Sequence, residues 1–187
     1  MILVIIAGAE LVTGNIMAVT IARLSGKIRT WDVVKNWCLV TVSNFIGAVF
    51  VAFWFGHRLG LTEIEPYLSM TIKVAGSKVG EPFYMALLSG IGANWLVCLA
   101  VWLAYAAKDA AGKILGIWFP IMAFVAIGFQ HVVANMFIIP AAIFAGYFDW
   151  GIYFNNFVAV FLGNAIGGGF FVGNFYWAAY SRRIETD

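Results

Sequence analysis

Long apolar stretches alternate with short polar segments along the whole chain. Five apolar blocks can be traced, and their approximate bounds are Met1–Leu24, Trp37–Phe55, Pro82–Ala107, Ile114–Ala145 and Phe157–Tyr180. A bilayer core is crossed by roughly 20 helical residues. Each block is long enough for this, so the pattern predicts an all-α protein that crosses the membrane five times.

Two of the blocks are interrupted by residues that do not suit the middle of a membrane helix. In the first block these are Glu10, Thr13, Gly14 and Asn15, and in the fourth, which is too long for one span, they are Pro120, His131 and Pro140. Hydrocarbon offers no hydrogen-bond partner to polar side chains or freed backbone groups. We therefore expect two broken transmembrane helices whose polar groups are satisfied by protein, water or substrate.

The composition agrees with an integral membrane protein. Hydrophobic residues make up 63% of the 187 positions and charged residues 11%, whereas a soluble domain has about 25% charged residues. Cys38 and Cys98 lie within apolar runs and form neither a disulfide framework nor a metal-ligand spacing. No nucleophile–base pair stands out, so we expect no enzyme activity, no metal, no cofactor and no nucleic-acid partner.

The loop charges predict the orientation in the cytoplasmic membrane. Eight of the eleven Lys and Arg residues follow the first, third and fifth blocks, and these are Arg23, Lys27, Arg29, Lys35, Lys108, Lys113, Arg182 and Arg183. The positive-inside rule places that side, with the C-terminus, in the cytoplasm. Five crossings then leave Met1 outside without a flanking segment to direct it. We expect at least one further helix to precede Met1.

The two interrupted blocks predict an internal repeat. When the sequence is shifted by 120 residues, Asn15 meets Asn135, while Asn36 meets Asn156 and Asn44 meets Asn164. Glu10 meets Gln130, Val12 meets Val132, and the glycine-rich fifth block aligns with the second. The alternative is that polar residues interrupt the helices at similar intervals without any repeat.

If the repeat is real, three membrane crossings separate the matched residues, so the two halves have opposite orientations in the membrane. A single domain over 1–187 would then contain inverted halves at about 1–57 and 82–180, with a substrate path between them.

Glu10 and His131 are the ionisable residues expected deep in the membrane, where charge is costly. His131 is either a neutral imidazole bonded to a backbone carbonyl freed by the break, or a group that faces the path and exchanges a proton with a solute. Glu10 is expected to support the helix break by capping the half-helix that begins near Thr13. Otherwise it pairs with a base such as Lys78 or orients the loop.

Other polar residues near the breaks are assigned supporting roles. We expect Asn15 and Asn135 to tie down the broken backbone, with Asn164 also among the supporting residues, and Asn94 to line the path or bridge helices. The N-termini of half-helices carry partial positive charge and favour anions. The expected apolar walls of such a path are Leu11, Val12, Phe124 and Phe129. With few inward charges, such a path favours a small solute that is weakly hydrated or neutralised, such as a small anion that meets a titratable histidine.

Four motifs in order closely resemble the formate/nitrite transporter family. They are AGAELVTGN at 7–15, GANWLVCLAVW at 92–102, GFQHVVANMFIIP at 128–140 and LGNAIGGGFFVGNFYW at 162–177. The resemblance implies an aquaporin-like helical bundle with an inverted repeat and two broken helices. It also implies a homopentamer in which each protomer has its own pore for formate, nitrite or hydrosulfide.

The same resemblance assigns roles to individual residues. It implies that His131 is the central pore histidine and that Thr13 lies in the loop that breaks the second transmembrane helix of the family. It makes Leu11, Val12 and Phe124 constriction residues, Asn94 and Val97 pore-lining residues, and Lys78 an anion-attracting residue near the outer vestibule. The chain departs from the family by lacking the N-terminal helix, the first transmembrane helix and part of the second, and by carrying Val12 for phenylalanine and Gln130 for glutamate.

The sequence therefore predicts a passive channel or proton-coupled transporter for small monovalent anions, formate or nitrite first, in a lipid bilayer. Two alternatives remain open at this stage. The chain could be a neutral-solute or water channel, although the paired Asn-Pro-Ala signature of aquaporins is absent. It could also be a membrane subunit that transports nothing.

Overall fold

The computed structural model describes residues 1–184, which form helices joined by short turns. The α-helices are α1 (Ile2–Ala7), α2 (Val12–Leu24), α3 (Thr30–Val51), α4 (Tyr67–Val79), α5 (Phe83–Ala106), α6 (Ala110–Ile127), α7 (Val132–Phe144), α8 (Trp150–Ala165) and α9 (Phe175–Ile184). Two π-helical segments continue α3 and α8, namely π1 (Ala52–Arg58) and π2 (Ile166–Asn174). Residues 1–184 contain no strand, as the all-α prediction requires.

Four helices are long and apolar enough to cross a membrane, and they are Thr30–Arg58, Phe83–Ala106, Ala110–Ile127 and Trp150–Ser181. The first predicted block is divided into α1 and α2, and the fourth into α6 and α7. The prediction of two broken helices is therefore confirmed. The two parts of the fourth block are unequal: α6, with 18 residues, is long enough to span a membrane, whereas α7 has only 13 residues.

The structure differs from the sequence prediction in two helix starts and in one additional helix. The second span begins at Thr30 rather than Trp37, and the fifth begins at Trp150 rather than Phe157. Polar residues in the first two turns of both helices had shortened the apolar runs on which the prediction relied. Helix α4 was not predicted at all, because the lysines and serines that it carries give it no long apolar run.

The two breaks have the same backbone design. α1 ends at Gly8 with φ 77°, and α6 ends at Gly128 with φ 83°. This left-handed conformation is favourable for glycine and ends a helix by turning the chain away from its axis. Three residues later, Leu11 and His131 are extended and serve as the N-caps of α2 and α7.

Helix α5 lies at the centre of the bundle and packs against α6, α8 and π2. Its contact with α8 is close because a side chain at Gly163 would lie 2.2 Å from the Leu87 carbonyl oxygen. A side chain at Gly167 would lie 2.3 Å from the Ile91 carbonyl oxygen. The glycines of the fifth block therefore allow two backbones to touch, a common way of packing membrane helices.

Candidate functional site

The two helix breaks meet at a hydrogen bond between Thr13 and His131. Thr13 Oγ1 and His131 Nε2 are 3.0 Å apart, although the residues are 118 positions apart in the chain. Both side chains are buried, with exposed fractions of 0% and 6%. The structure thus brings together the two residues to which the resemblance gave central roles.

The second nitrogen of His131 determines where its proton lies. Nδ1 accepts a hydrogen bond from the Ala134 backbone N–H at 3.1 Å, so the imidazole caps the N-terminus of α7. A nitrogen that accepts cannot carry a proton, so the proton of the neutral ring is on Nε2 and is donated to Thr13 Oγ1. The structure corrects the proposed bond to a freed carbonyl, because the backbone partner of His131 is a freed N–H.

Apolar side chains enclose this contact. The Phe124 and His131 rings lie 5.5 Å apart between centroids, with a tilt of 35°. Phe124 packs with buried Val97 in a cluster that also contacts Phe129. Val12 is fully buried beside Thr13, and Leu11 is half-buried. The predicted wall residues therefore lie around the two breaks.

Asn164 ties together the backbone of the second break. Its side-chain oxygen accepts from the Val132 N–H at 2.9 Å, and its NH₂ group donates to the carbonyl oxygens of Gln130 at 3.1 Å and Gly90 at 2.8 Å. The bonds to Val132 and Gln130 pair backbone groups that the broken helix leaves free, and the bond to Gly90 links the break to α5. The supporting role predicted for Asn164 agrees with this geometry.

Asn44 makes the corresponding contacts at the first break. Its oxygen accepts from the Val12 N–H at 3.0 Å, and its NH₂ group donates to the Glu10 carbonyl at 3.0 Å. The sequence had used Asn44 only as a match in the repeat. Its position 120 residues before Asn164 was the available signal for its role.

Asn15 and Asn135 do not tie down the backbone through their side chains, so that prediction is corrected. The Asn135 NH₂ group donates to Gln130 Oε1 at 2.7 Å and to Asn156 Oδ1 at 2.9 Å. The Asn15 NH₂ group donates to the Glu10 carboxylate and, at 3.2 Å, to Asn36 Oδ1. Both asparagines instead hold the side chain of the residue five positions earlier.

The structure shows neither the cap nor the pair with Lys78 that was suggested for Glu10. α2 has no side-chain cap at its N-terminus, and the Glu10 carboxylate is bonded to Asn15 instead. The Lys78 ammonium lies at the other break, where it donates to the carbonyl oxygens of Gly128 at 2.6 Å and Phe129 at 3.1 Å. Glu10 is exposed, whereas Lys78 is 8% exposed.

Gln130 links the second break back to α4. Its NH₂ group donates to the Lys78 carbonyl at 2.9 Å, and its backbone N–H donates to Ser89 Oγ at 3.0 Å. The Asn156 NH₂ group donates to the same Lys78 carbonyl at 2.9 Å. The sequence gave no signal for Ser89, which comes from a neighbouring helix in an otherwise apolar stretch.

Asn94 bridges the two halves rather than pointing into open space. Its NH₂ group donates to the carbonyl oxygens of Thr13 at 3.2 Å and Asn164 at 2.7 Å. The Cys98 thiol also donates to the Thr13 carbonyl at 3.4 Å. Of the two roles predicted for Asn94, helix bridging is the one its contacts support.

A cavity of about 180 Å³ opens beside the first break. Its wall includes Glu10, Leu11 and Asn15, together with Val101 and Tyr105 of α5. Within residues 1–184, no group of three His, Cys, Asp or Glu side chains is placed to hold a metal ion. The site therefore offers neutral hydrogen-bond donors between apolar walls, with an opening of mixed polarity on one side.

Comparison with known proteins gives a consistent result. A sequence profile described as formate/nitrite transporter matches residues 1–178. An uncharacterized transporter, YrhG, of Bacillus subtilis (strain 168) is 61% identical over 186 residues, which cover 100% of this chain and 70% of that protein. The formate channel BtFdhC of Bacillus thuringiensis is 54% identical over 181 residues, covering 97% of this chain and 70% of that protein.

Two solved structures are similar over nearly the whole chain. An FNT family ion channel superposes with a TM-score of 0.88 at 34% identity, covering 95% of this chain and 72% of that one. A pentameric formate channel with formate bound superposes with a TM-score of 0.81 at 35% identity, covering 96% and 78%. The likeness therefore extends from the four motifs to the arrangement of the helices.

Proposed function

Because the chain belongs to the formate/nitrite transporter family, we propose that it conducts small monovalent anions, formate or nitrite first, across the cytoplasmic membrane. The similar proteins include a formate channel and a pentameric formate channel with formate bound. We also propose that the chain assembles as a homopentamer. The large apolar side chains that α3 exposes along its length suit contact with lipid or neighbouring protomers.

The observation that carries the proposal is the Thr13–His131 contact, which joins two half-helix N-termini. α2 begins at Val12 and α7 at Val132, so both helices start next to this hydrogen bond. The partial positive charge at helix N-termini favours an anion there. The Thr13 hydroxyl accepts from His131, so its own proton is left for another acceptor, such as a carboxylate or nitrite oxygen.

The cap made by His131 favours passage of the solute as an anion. To become charged, the ring must take a second proton on Nδ1, which then faces the Ala134 N–H across 3.1 Å. Protonation therefore requires loss of the cap, which is worth about 1 kcal/mol at a helix N-terminus. The neutral ring can still donate its Nε2–H to a passing oxygen in place of Thr13. This supports a channel over a carrier that must protonate its substrate at each step.

The direction of the chain in the membrane is part of the proposal. The basic residues after α2, after α5 and in α9 support a cytoplasmic location for that side. Residues 185–187, the C-terminus itself, lie outside the described residues.

Proteoliposomes containing the purified protein test this function. Formate and nitrite should enter in a saturable way and faster than glycerol, and a membrane potential that is positive inside should speed their entry. We expect His131→Phe to reduce formate entry by roughly tenfold or more, because a phenyl ring makes neither the Thr13 nor the Ala134 hydrogen bond of the imidazole. Equal entry of glycerol and formate would indicate a neutral-solute channel, and no entry of either would indicate a subunit that transports nothing.

A further inference from the structure

The orientation of the Gln130 side chain is fixed by its neighbours. Gln130 is fully buried, and its NH₂ group donates to the Lys78 backbone carbonyl, which can only accept. Its Oε1 atom accepts from the NH₂ group of Asn135 at 2.7 Å. An exchange of the amide oxygen and nitrogen would place two donors against each other and an oxygen against a carbonyl oxygen. The amide is therefore a donor on the side that faces α4.

The Lys78 ammonium group also binds the backbone of the second break. Nζ donates to the carbonyl oxygens of Gly128 and Phe129, the two residues before Gln130. Within residues 1–184 the Lys78 ammonium forms no ion pair, since the ion pairs found there join Arg29 to Asp32 and His57 to Glu63. The end of α4 and the second break are thus joined in both directions. The neutral Gln130 amide donates to the Lys78 backbone, and the Lys78 ammonium donates to the backbone of the break.

A carboxylate at position 130 would not fit this arrangement. It has no proton to donate to the Lys78 carbonyl, so two oxygen atoms would face each other at about the 2.9 Å now spanned by the amide hydrogen bond. The repulsion would be relieved if the Lys78 ammonium left the two carbonyls and paired with the carboxylate. The matched residue of the first break, Glu10, has a carboxylate and no such carbonyl in contact.

We propose that Gln130 is a positioning residue for anion selectivity, which acts by leaving the buried charge of Lys78 unpaired beside the break that bears His131. This inference rests on the proposed function. A cation held only by carbonyl dipoles keeps most of its field, and that field favours anions over neutral solutes in the path. The amide at position 130 thereby determines the net charge of the second break.

The other charged and titratable groups near Lys78 are few. Glu81, three residues further along, acts on Lys78 through space, and His131 is neutral while it caps α7. Glu81 is present in every variant considered below, so it does not distinguish them.

Three single variants, measured in proteoliposomes, distinguish the effect of the Lys78 charge from the effect of the hydrogen bonds made by Gln130. Gln130→Glu and Lys78→Gln each remove the net positive charge, and we expect both to raise the half-saturating formate concentration by about tenfold or more. Gln130→Met removes the hydrogen bonds and keeps the charge, and it should change that concentration by less than about threefold while lowering thermal stability. An unchanged half-saturating concentration in Gln130→Glu, or equal effects of Gln130→Met and Gln130→Glu, would overturn the proposal.

A second readout does not depend on transport. The infrared carboxyl bands of Gln130→Glu, compared with those of the Gln130→Glu, Lys78→Gln double variant, report the ionisation of the new carboxyl group. We expect an ionised group at neutral pH when Lys78 is present and a protonated one when it is absent. The same ionisation state in both proteins would contradict pairing with Lys78. A wild-type protein without any anion flux would contradict the proposed function alone, while this spectrum would still decide the pairing.

Discussion

Within residues 1–184 taken as a single protomer, Glu10 of the first helix break (residues 8–11) is exposed, whereas Gln130 and His131 of the second (residues 128–131) are buried. The partners of Glu10 are Asn15 and Asn44, which are half-buried. At the second break, Gln130, Asn135 and Asn164 are at most 1% exposed. The same backbone design is therefore supported in two environments, which differ in the cost of an unpaired polar group.

The contacts themselves match closely between the two breaks. Asn44 and Asn164 each accept from the first N–H of a half-helix and donate to the carbonyl two residues earlier. Every donor and acceptor in one set is 120 positions from its counterpart in the other. We propose that these contacts derive from an inverted repeat with halves at about 1–57 and 82–180, which the matched hydrogen bonds support.

What differs is the helix that covers the second break. α4 supplies the Lys78 carbonyl to Gln130 and Asn156, and it supplies the Lys78 ammonium to the break backbone. Among the described residues, the Glu10 carboxylate contacts only the neighbouring Asn15 side chain. Asn44 and Asn164 therefore bind the backbone in the same way at the two breaks. Helix α4 adds burial and a positive charge at the second break.

The largest difference should be seen when the two backbone-binding asparagines are removed. Asn164→Ala leaves the buried Val132 N–H and Gln130 carbonyl without a partner, and at about 1–3 kcal/mol for each unsatisfied group it should cost about 3 kcal/mol or more. Asn44→Ala leaves two groups in a half-exposed place and should cost about 1–2 kcal/mol. Denaturant unfolding in mixed micelles would measure both. Equal losses would show that burial does not distinguish the breaks.

A smaller difference is expected for the asparagines that hold the side chains of residues 10 and 130. Asn135→Ala removes two buried hydrogen bonds and should destabilise the protein by about 2 kcal/mol, against less than about 1 kcal/mol for Asn15→Ala. Thermal unfolding of the two variants in the same detergent provides the measurement. The comparison would fail if Asn15→Ala were the more damaging change.

The sequence predicted much of this site because polar residues in a membrane segment are few and costly. The shift of 120 residues paired the asparagines of the two halves, and His131 and Thr13 were both singled out. It could not decide which asparagine binds the backbone, since Asn164 reaches Val132 across 32 positions. It also could not place Lys78 at the second break, because α4 lacks the long apolar run by which the other helices were found.

The smallest effect should come from making the first break resemble the second. Glu10→Gln keeps an oxygen that accepts from Asn15 and removes a charge that is already exposed, so stability should change by less than about 0.5 kcal/mol. Formate entry in proteoliposomes should change by no more than about twofold. A change as large as that of Gln130→Glu would mean that the fixed charges of the two breaks act alike.

The central claim is that a neutral His131 joins the two breaks by donating its Nε2 proton to Thr13 while Nδ1 caps α7. The chain has two histidines, so nitrogen-15 solid-state NMR of the His57→Gln protein in bilayers observes His131 alone. We predict one protonated nitrogen, Nε2, at neutral pH, and a change in its signal when Thr13 is replaced by valine. A ring protonated on Nδ1 or on both nitrogens, or an Nε2 signal unaffected by Thr13→Val, would contradict the account.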